Sequence, residues 1–264
     1  MDDRVRVERA EGIAEVRLVR ADKHNGLDHR MFQALLEAGR GLLDDPGLRA
    51  VVLSGEGPSF CAGLDFASFM REGIDPATVL RAEEGSPANF AQRVAWIWRE
   101  LPVPVIAALH GHVYGGGLQL ALAADLRYVT PDAKLSVREI HWGLVPDMSG
   151  TQTLRHLVRL DVAKELTYTG RAVSGVEAVA LGLATRVEED PRAAALAIAR
   201  EIAGRSPDAI RGAKRLLDAS VTLSPEEGLR LEEAIQRTIL GKPNQLEAVA
   251  AGMSKRAPKF RDPQ

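Results

Sequence analysis

A single cysteine, Cys61, in a chain of 264 residues excludes a disulfide framework and a cysteine-rich metal site. Lys and Arg (34) nearly balance Asp and Glu (36), so no charge excess draws nucleic acid or an anionic membrane surface. No apolar run has the length to cross a bilayer, and the charged first residues hold no apolar leader core. A G-x-S-x-G elbow is missing, as are internal repeats and low-complexity tracts. The expectation is a soluble cytoplasmic protein with no metal, no nucleic-acid partner and no membrane anchor.

What is present is 45% hydrophobic residues, enough for a sizeable core. "AEVRLV" alternates like a strand, and His29 to Leu43 sets Met31, Phe32, Leu35, Leu36, Leu42 and Leu43 at helical spacing. "RAVVLSG" and "VPVIAALHG" read as apolar strands, and "DLRYVTPDAKLSV" as two short strands about a Pro-Asp turn. Strand and helix alternate through the first two-thirds, which predicts an α/β fold. The stretch from Phe66 to Glu100 is polar and helical, with breaks at "REGIDP" and "EEGSP". From about Ser149 the pattern is nearly all helical, with capping boxes expected at Ser174–Glu177, Ser224–Glu227 and Asn244–Glu247. A shift in composition near "EEDPRAAALAIAREIAGRSP" divides a core domain, residues 1–200, from a helical region, residues 201–264.

Three glycines, Gly115 to Gly117, open an apolar helix-forming run in "HGHVYGGGLQLALAAD". Leu118 and Gln119 follow where a P-loop needs Lys and Ser or Thr, and G-x-G-x-x-G spacing is absent too. Bare N–H groups at a helix start suit an oxygen that gains negative charge. Helix packing too close for a Cβ is the alternative. A second bare stretch, "GEGPSFCAGLDFASF", follows a strand and could supply a second N–H, or form an ordinary turn with Asp65 capping the next helix. His110 and His112 suit a strand end better than a metal, and Cys61 reads as a packed small hydrophobe. Trp96 and Trp98 either line a pocket or pack in the core.

With "RLVRADKHNGLDHRMFQAL", "RAVVLSGEGPSFCAGLD", the glycine run and "GVEAVALGLATRV", most of the chain resembles the crotonase superfamily, also called the enoyl-CoA hydratase/isomerase superfamily. The resemblance implies a crotonase-like ββα spiral with two roughly perpendicular sheets, and a C-terminal helical region that builds a homotrimer or homohexamer. It implies an acyl-CoA thioester substrate, with coenzyme A as part of the substrate and no separate cofactor. By resemblance the oxyanion hole is made by the Ala62 and Gly116 N–H groups. Coenzyme A would bend across Ala62, Gly63, Leu64 and Asp65, with Lys23 towards its nucleotide; an exposed turn lysine is the plain alternative. The basic "KRAPKF" tail would touch a neighbouring subunit's nucleotide, or simply end a solvated helix.

The reaction then depends on the carboxylates. Family hydratases use two glutamates around a water, and Gln119 stands at the first position. An amide can hold a water but cannot exchange a proton. Glu139 fills the second position, with Asp147 eight residues later after Gly143 and Pro146. That spacing resembles the dienoyl-CoA isomerases, which usually carry an aspartate at the Gln119 position as well. The expected reaction is double-bond isomerisation of an enoyl- or dienoyl-CoA through a thioester enolate, with Glu139 as principal proton shuttle and Asp147 as second base. A 2-enoyl-CoA hydratase working with Glu139 alone, Gln119 orienting the water, is one alternative; a non-catalytic acyl-CoA-binding family member is another. Asp147 could instead cap the next helix, as could Ser149 with Gln152. Trp142 and Leu144 are expected to bury Glu139 and raise its pKa.

Overall fold

The computed structural model describes residues 4–82 and 85–263. Its strands are β1 (Val5–Ala10), β2 (Ile13–Leu18), β3 (Ala50–Gly55), β4 (Val105–Leu109), β5 (His112–Tyr114), β6 (Leu126–Val129), β7 (Lys134–Ser136), β8 (Val173–Ser174) and β9 (Arg186–Val187). Helices α1 (His29–Leu43), α2 (Phe66–Glu72), α3 (Pro76–Val79), α4 (Phe90–Glu100), α5 (Gly116–Leu122) and α6 (Gly150–Leu157) lie in the first part. Helices α7 (Leu160–Thr169), α8 (Gly175–Leu181), α9 (Pro191–Ala203), α10 (Pro207–Ser220), α11 (Pro225–Ile239) and α12 (Pro243–Met253) complete the chain.

A six-stranded sheet runs β1-β2-β3-β4-β6-β9, antiparallel at β1–β2 and parallel elsewhere. Side chains alternate across it, and both faces are covered. Val51, Leu53, Val105, Ala107 and Leu109 join the large core beneath α1 and α4, while Ala50, Val52, Ile106 and Ala108 meet Ala195 and Ala199 of α9. Small residues one turn apart let α9 lie close against the sheet. The later helices pack on one another, α10 against α11 and α12.

α1 begins and ends where the apolar spacing predicts, and Asp28 caps it by accepting from Met31 N. β1 has no counterpart in the sequence reading: its alternation is limited to Val5 and Val7, and five of its six residues are exposed. It forms a hairpin with β2 through Glu11 and Gly12, both at positive φ. Ser224 and Glu227 form the reciprocal capping box. Ser174 accepts from Glu177 N, but the Glu177 carboxylate turns to Arg171. The box expected at Asn244 is absent: α12 starts at Pro243, and the Asn244 side chain bonds Asp208 and the ends of the tail at Arg261. The break expected at "EEGSP" falls partly on Glu83 and Glu84, outside the described residues. Trp98 is fully buried and donates to Val94 O, whereas Trp96 carries the Arg99 guanidinium on its ring. Among the described residues no helix is long and apolar enough to cross a membrane.

A second sheet, β5-β7-β8, stands apart from the first. Residues 60–65 lie along it, because Cys61 bridges to Val113 of β5 and Leu64 bridges to Leu27 on the other side. This places the two glycine-bearing segments side by side.

Candidate active site

Contact between the two segments requires bare backbone. Cys61 N donates to His112 O, and Tyr114 N donates to Cys61 O. A Cβ on Gly117 would stand 2.5 Å from Cys61 O, and one on Gly63 would stand 2.7 Å from Tyr114 O. Gly115 adopts φ +51°, a left-handed conformation that glycine takes without strain. Close packing and exposed N–H groups, posed as alternatives by the sequence, hold together here.

The backbone N–H groups along the resulting cavity, about 480 Å³ in volume, divide sharply. Ala62 N donates to His24 O at 2.9 Å, which removes it from the role the resemblance implied. Gly63 N serves the Cys61 sulfur, and Gly115 N serves Ser136 O. Leu27 N donates to Gly63 O and Asp65 N donates to Leu27 O, so the intervening Leu64 N–H points away from Leu27. Leu64 N and Gly116 N have no acceptor among the described residues. Gly116 is the first residue of α5, where helical geometry leaves N–H groups unpaired and the helix dipole adds positive potential.

Opposite them is Glu139, at the start of a one-turn 3₁₀ helix, Glu139–Trp142. Its Oε1 accepts from Gln119 Nε2 at 2.6 Å, while Oε2 is buried without a partner. Burial pushes the Glu139 pKa up; the backbone N–H groups of Glu139 and Arg138 and the Gln119 hydrogen bond work against that rise, and the nearby Asp147 charge adds to it. The enclosing groups are not the expected ones, since Trp142 is 61% exposed and Leu144 44%. Trp142 instead pairs with Phe66 at the cavity rim, ring centroids 4.7 Å apart, and Gly115 and Gln119 close around the carboxyl.

Asp147 also lines the cavity, on the exposed loop before α6, and its surroundings raise its pKa through partial burial. Helix capping does not explain it. The N-cap residue of α6 is Ser149, held at φ +68° with no side-chain cap bond, and Gln152 N bonds the Ser149 carbonyl. The capping acceptor comes from elsewhere in the sequence: Gln119 Oε1 accepts from Met148 N at 2.8 Å and Gly150 N at 2.9 Å. The Gln119 oxygen and one Nε2 hydrogen are thus engaged by protein, which leaves a single N–H for its expected role of holding a water.

Of the other sequence-selected residues, Gly63 and Leu64 line the cavity, whereas Asp65 and Lys23 do not. Asp65 caps α2 through Ser68 and pairs with Arg20 at 2.8 Å, so its role is structural. Lys23 is exposed on the turn Ala21–Lys23, with no side-chain partner among the described residues. The His110 ring meets Gly57 O and the His112 ring stacks on Tyr114, structural roles for both. Cys61 is fully buried, and burial pushes its thiol up to about 12, the setting of an inert packed residue. Sequence reasoning missed the nearly buried Phe32 and Ala91 and the exposed Met70 and Leu80, all of which line the cavity. It also missed Arg138, whose guanidinium lies 4.5 Å from the Tyr114 ring centroid. α1 had a visible apolar face and the stretch that holds α2 read as polar, and nothing in either pattern says that they enclose a cavity.

Residues 8–263 match the family described as Enoyl-CoA hydratase/isomerase. The chain is 36% identical over 260 residues to enoyl-CoA hydratase domain-containing protein 2, mitochondrial, of Bos taurus, covering 95% of this chain and 84% of that protein. It is 32% identical over 265 residues to the mitochondrial Delta(3,5)-Delta(2,4)-dienoyl-CoA isomerase of Mus musculus, covering 94% and 78%. The crystal structure of enoyl-CoA hydratase from Bacillus anthracis superposes with a TM-score of 0.90 at 30% identity, covering 98% of this chain and all of that one.

Proposed function

Because this chain belongs to the enoyl-CoA hydratase/isomerase family, we propose that it moves double bonds within an enoyl- or dienoyl-CoA thioester. One observation carries the reading above the rest. A buried carboxylate oxygen without a partner, Glu139 Oε2, shares a cavity with two unengaged N–H groups and a second carboxyl group, Asp147.

In this reading Leu64 N and Gly116 N hold the thioester oxygen. Glu139 Oε2 takes a proton from the carbon beside the thioester, and the C–H electron pair spreads through the double bonds to that oxygen. For a 3,5-dienoyl thioester, Asp147 in its protonated form gives a proton to C6, and the electrons return to form the 2,4-diene. Glu139 then returns its proton to solvent while Asp147 regains one. Raised pKa values fit both roles, a stronger base at Glu139 and a carboxyl that keeps its proton longer at Asp147. The reaction moves protons only, and coenzyme A enters as part of the substrate, so no further cofactor is needed. Hydration is disfavoured because the Gln119 amide contacts Glu139 directly and has no proton to transfer.

The acyl chain is proposed to run towards Phe32 and Ala91, 2% and 4% exposed, away from the rim at Met70 and Trp142. Ala91→Phe is expected to lower kcat/KM for long acyl chains by at least about tenfold while sparing short ones. A chain-length series measures this, and an unchanged profile would move the acyl chain elsewhere. Exposed Leu217, Leu229, Leu240 and Met253 on α10–α12 and beyond support assembly into a homotrimer or homohexamer through the helical region.

The deciding experiment is a thioester panel of saturated, 2-enoyl, 3-enoyl and 3,5-dienoyl-CoA, read by ultraviolet absorbance and mass spectrometry. Conversion of the 3-enoyl or 3,5-dienoyl compound is expected, and hydration of the 2-enoyl compound alone would contradict the proposal. Asp147→Asn should reduce dienoyl isomerisation about 10²-fold or more and single-bond isomerisation less than tenfold. Equal losses on both substrates would deny Asp147 its separate role.

A further inference from the structure

Gln119 is the sole polar residue of α5, "GGLQLAL", and it is 2% exposed. A buried amide must satisfy two donors and one carbonyl, and an apolar residue would be the cheaper choice for packing. Its oxygen takes Met148 N and Gly150 N, the residues on either side of the left-handed Ser149 and directly after Asp147. Its nitrogen donates to Glu139 Oε1. Gly150 has no room for a side chain, since a Cβ there would stand 2.7 Å from Gln119 Oε1. The amide therefore cannot turn or withdraw without breaking bonds at both ends.

Resting on the isomerase reading above, we propose that Gln119 is a positioning residue: one amide ties the Asp147 loop to Glu139 and leaves Oε2 as the sole Glu139 oxygen free to take a proton. The orientation of the amide is forced, because only its oxygen can accept from two N–H groups. An ionised Glu139 is thereby held with Oε1 bonded to Gln119 and Oε2 buried without a partner. A glutamate at 119 would still serve the two N–H groups but could not donate to Glu139 while ionised. This separates the two functions of the side chain.

Few other charges bear on Glu139. Asp147 is the one charged group that raises its pKa. On its own turn, Arg138 lies over Tyr114 and His141 meets Gly170 O. α7, packed on that turn, turns Lys164 and Glu165 to solvent, and α6 carries Arg155 and His156 exposed at its far end.

The test compares Gln119→Glu and Gln119→Met with the native protein by thermal melting, by the pH dependence of kcat/KM, and by NMR titration of Glu139 in the unliganded protein. The Gln119 donor favours the ionised form, so its loss raises the Glu139 pKa and moves the acid limb of the rate to higher pH. Gln119→Glu, which sets two buried carboxyl groups in contact, is expected to shift both the acid limb and the NMR titration upward by about one pH unit or more, with lost donation and like-charge repulsion acting in the same direction. Gln119→Met, which loses both functions without adding a charge, should show an upward shift from the lost donor alone and a lower Tm. A Glu139 titration that stays in place in both variants reduces Gln119 to a helix cap and overturns the proposal. The NMR readout needs no turnover, so a native protein inactive on the thioester panel would refute the isomerase reading separately.

Discussion

Glu139→Gln is expected to slow exchange of the α-proton of a 3-enoyl-CoA with D2O by about 10²–10⁴-fold, the range one general base supplies. The change is nearly isosteric and removes the carboxylate proposed to accept the proton. The amide oxygen can still accept from Gln119 Nε2, so the local geometry has a way to persist. Stability should move in the opposite direction from activity. Burial raises the Glu139 pKa, so the carboxyl group is more comfortable protonated, and ionisation costs the folded protein stability as pH climbs through the raised value. A neutral amide escapes that cost at neutral pH, and the variant should melt at the same temperature as the native protein or higher. Loss of exchange with a much lower Tm would show that Glu139 is structural. Undiminished exchange with Tm intact would place the base elsewhere, and absence of exchange in the native protein would leave acyl-CoA binding alone.

Gly117→Ala should damage both fold and rate, although simple helix propensity predicts the reverse. In an exposed helix, Gly to Ala gains roughly 1 kcal/mol. Here the added Cβ would meet the Cys61 carbonyl oxygen at 2.5 Å and the Cys61 sulfur at 2.7 Å. Backbone cannot move aside as the end of a flexible side chain can, and overpacking of this kind costs typically about 1–3 kcal/mol. The clash is expected to win, lowering Tm by a few degrees at about 2–4 °C per kcal/mol. Displacement of residues 61–64 also carries the Leu64 N–H out of line with Gly116 N. Loss of one such donor costs about 10²–10³ in rate. Gly116→Ala provides the contrast, since its Cβ meets the side-chain ends of Met148 and Leu27, which can shift. A Gly117→Ala protein with native Tm and native rate would show that the two segments are not held as tightly as their contacts require.

The elements that position the site were mostly legible as pattern. α1 and the parallel strands β3 and β4 are apolar runs with clear punctuation, and packing only confirms what their spacing dictates. β1 escaped because its alternation is short, Val5 and Val7 against Arg6 and Glu8, and five of its six residues are exposed. The site was legible by residue type but not by atom. Glu139 and Asp147 were selected through the family resemblance and stand on one cavity. The resemblance assigned the donor to Ala62, and a sequence does not record which way each N–H points; pairing with Leu27 and His24, both about forty residues upstream, leaves Leu64 N free instead. Gln119 was read as a missing acid, while its bonds to Met148 and Gly150 join positions about thirty residues apart that no periodicity links.

The most direct measurement of the central claim is a crystal structure of the protein with a non-reacting dienoyl-CoA analogue. The account predicts the thioester oxygen about 2.7–3.1 Å from both Leu64 N and Gly116 N, with Glu139 Oε2 against the adjacent carbon. A thioester oxygen bound to neither of those nitrogens, with Ala62 N released from His24 to hold it, would contradict the account.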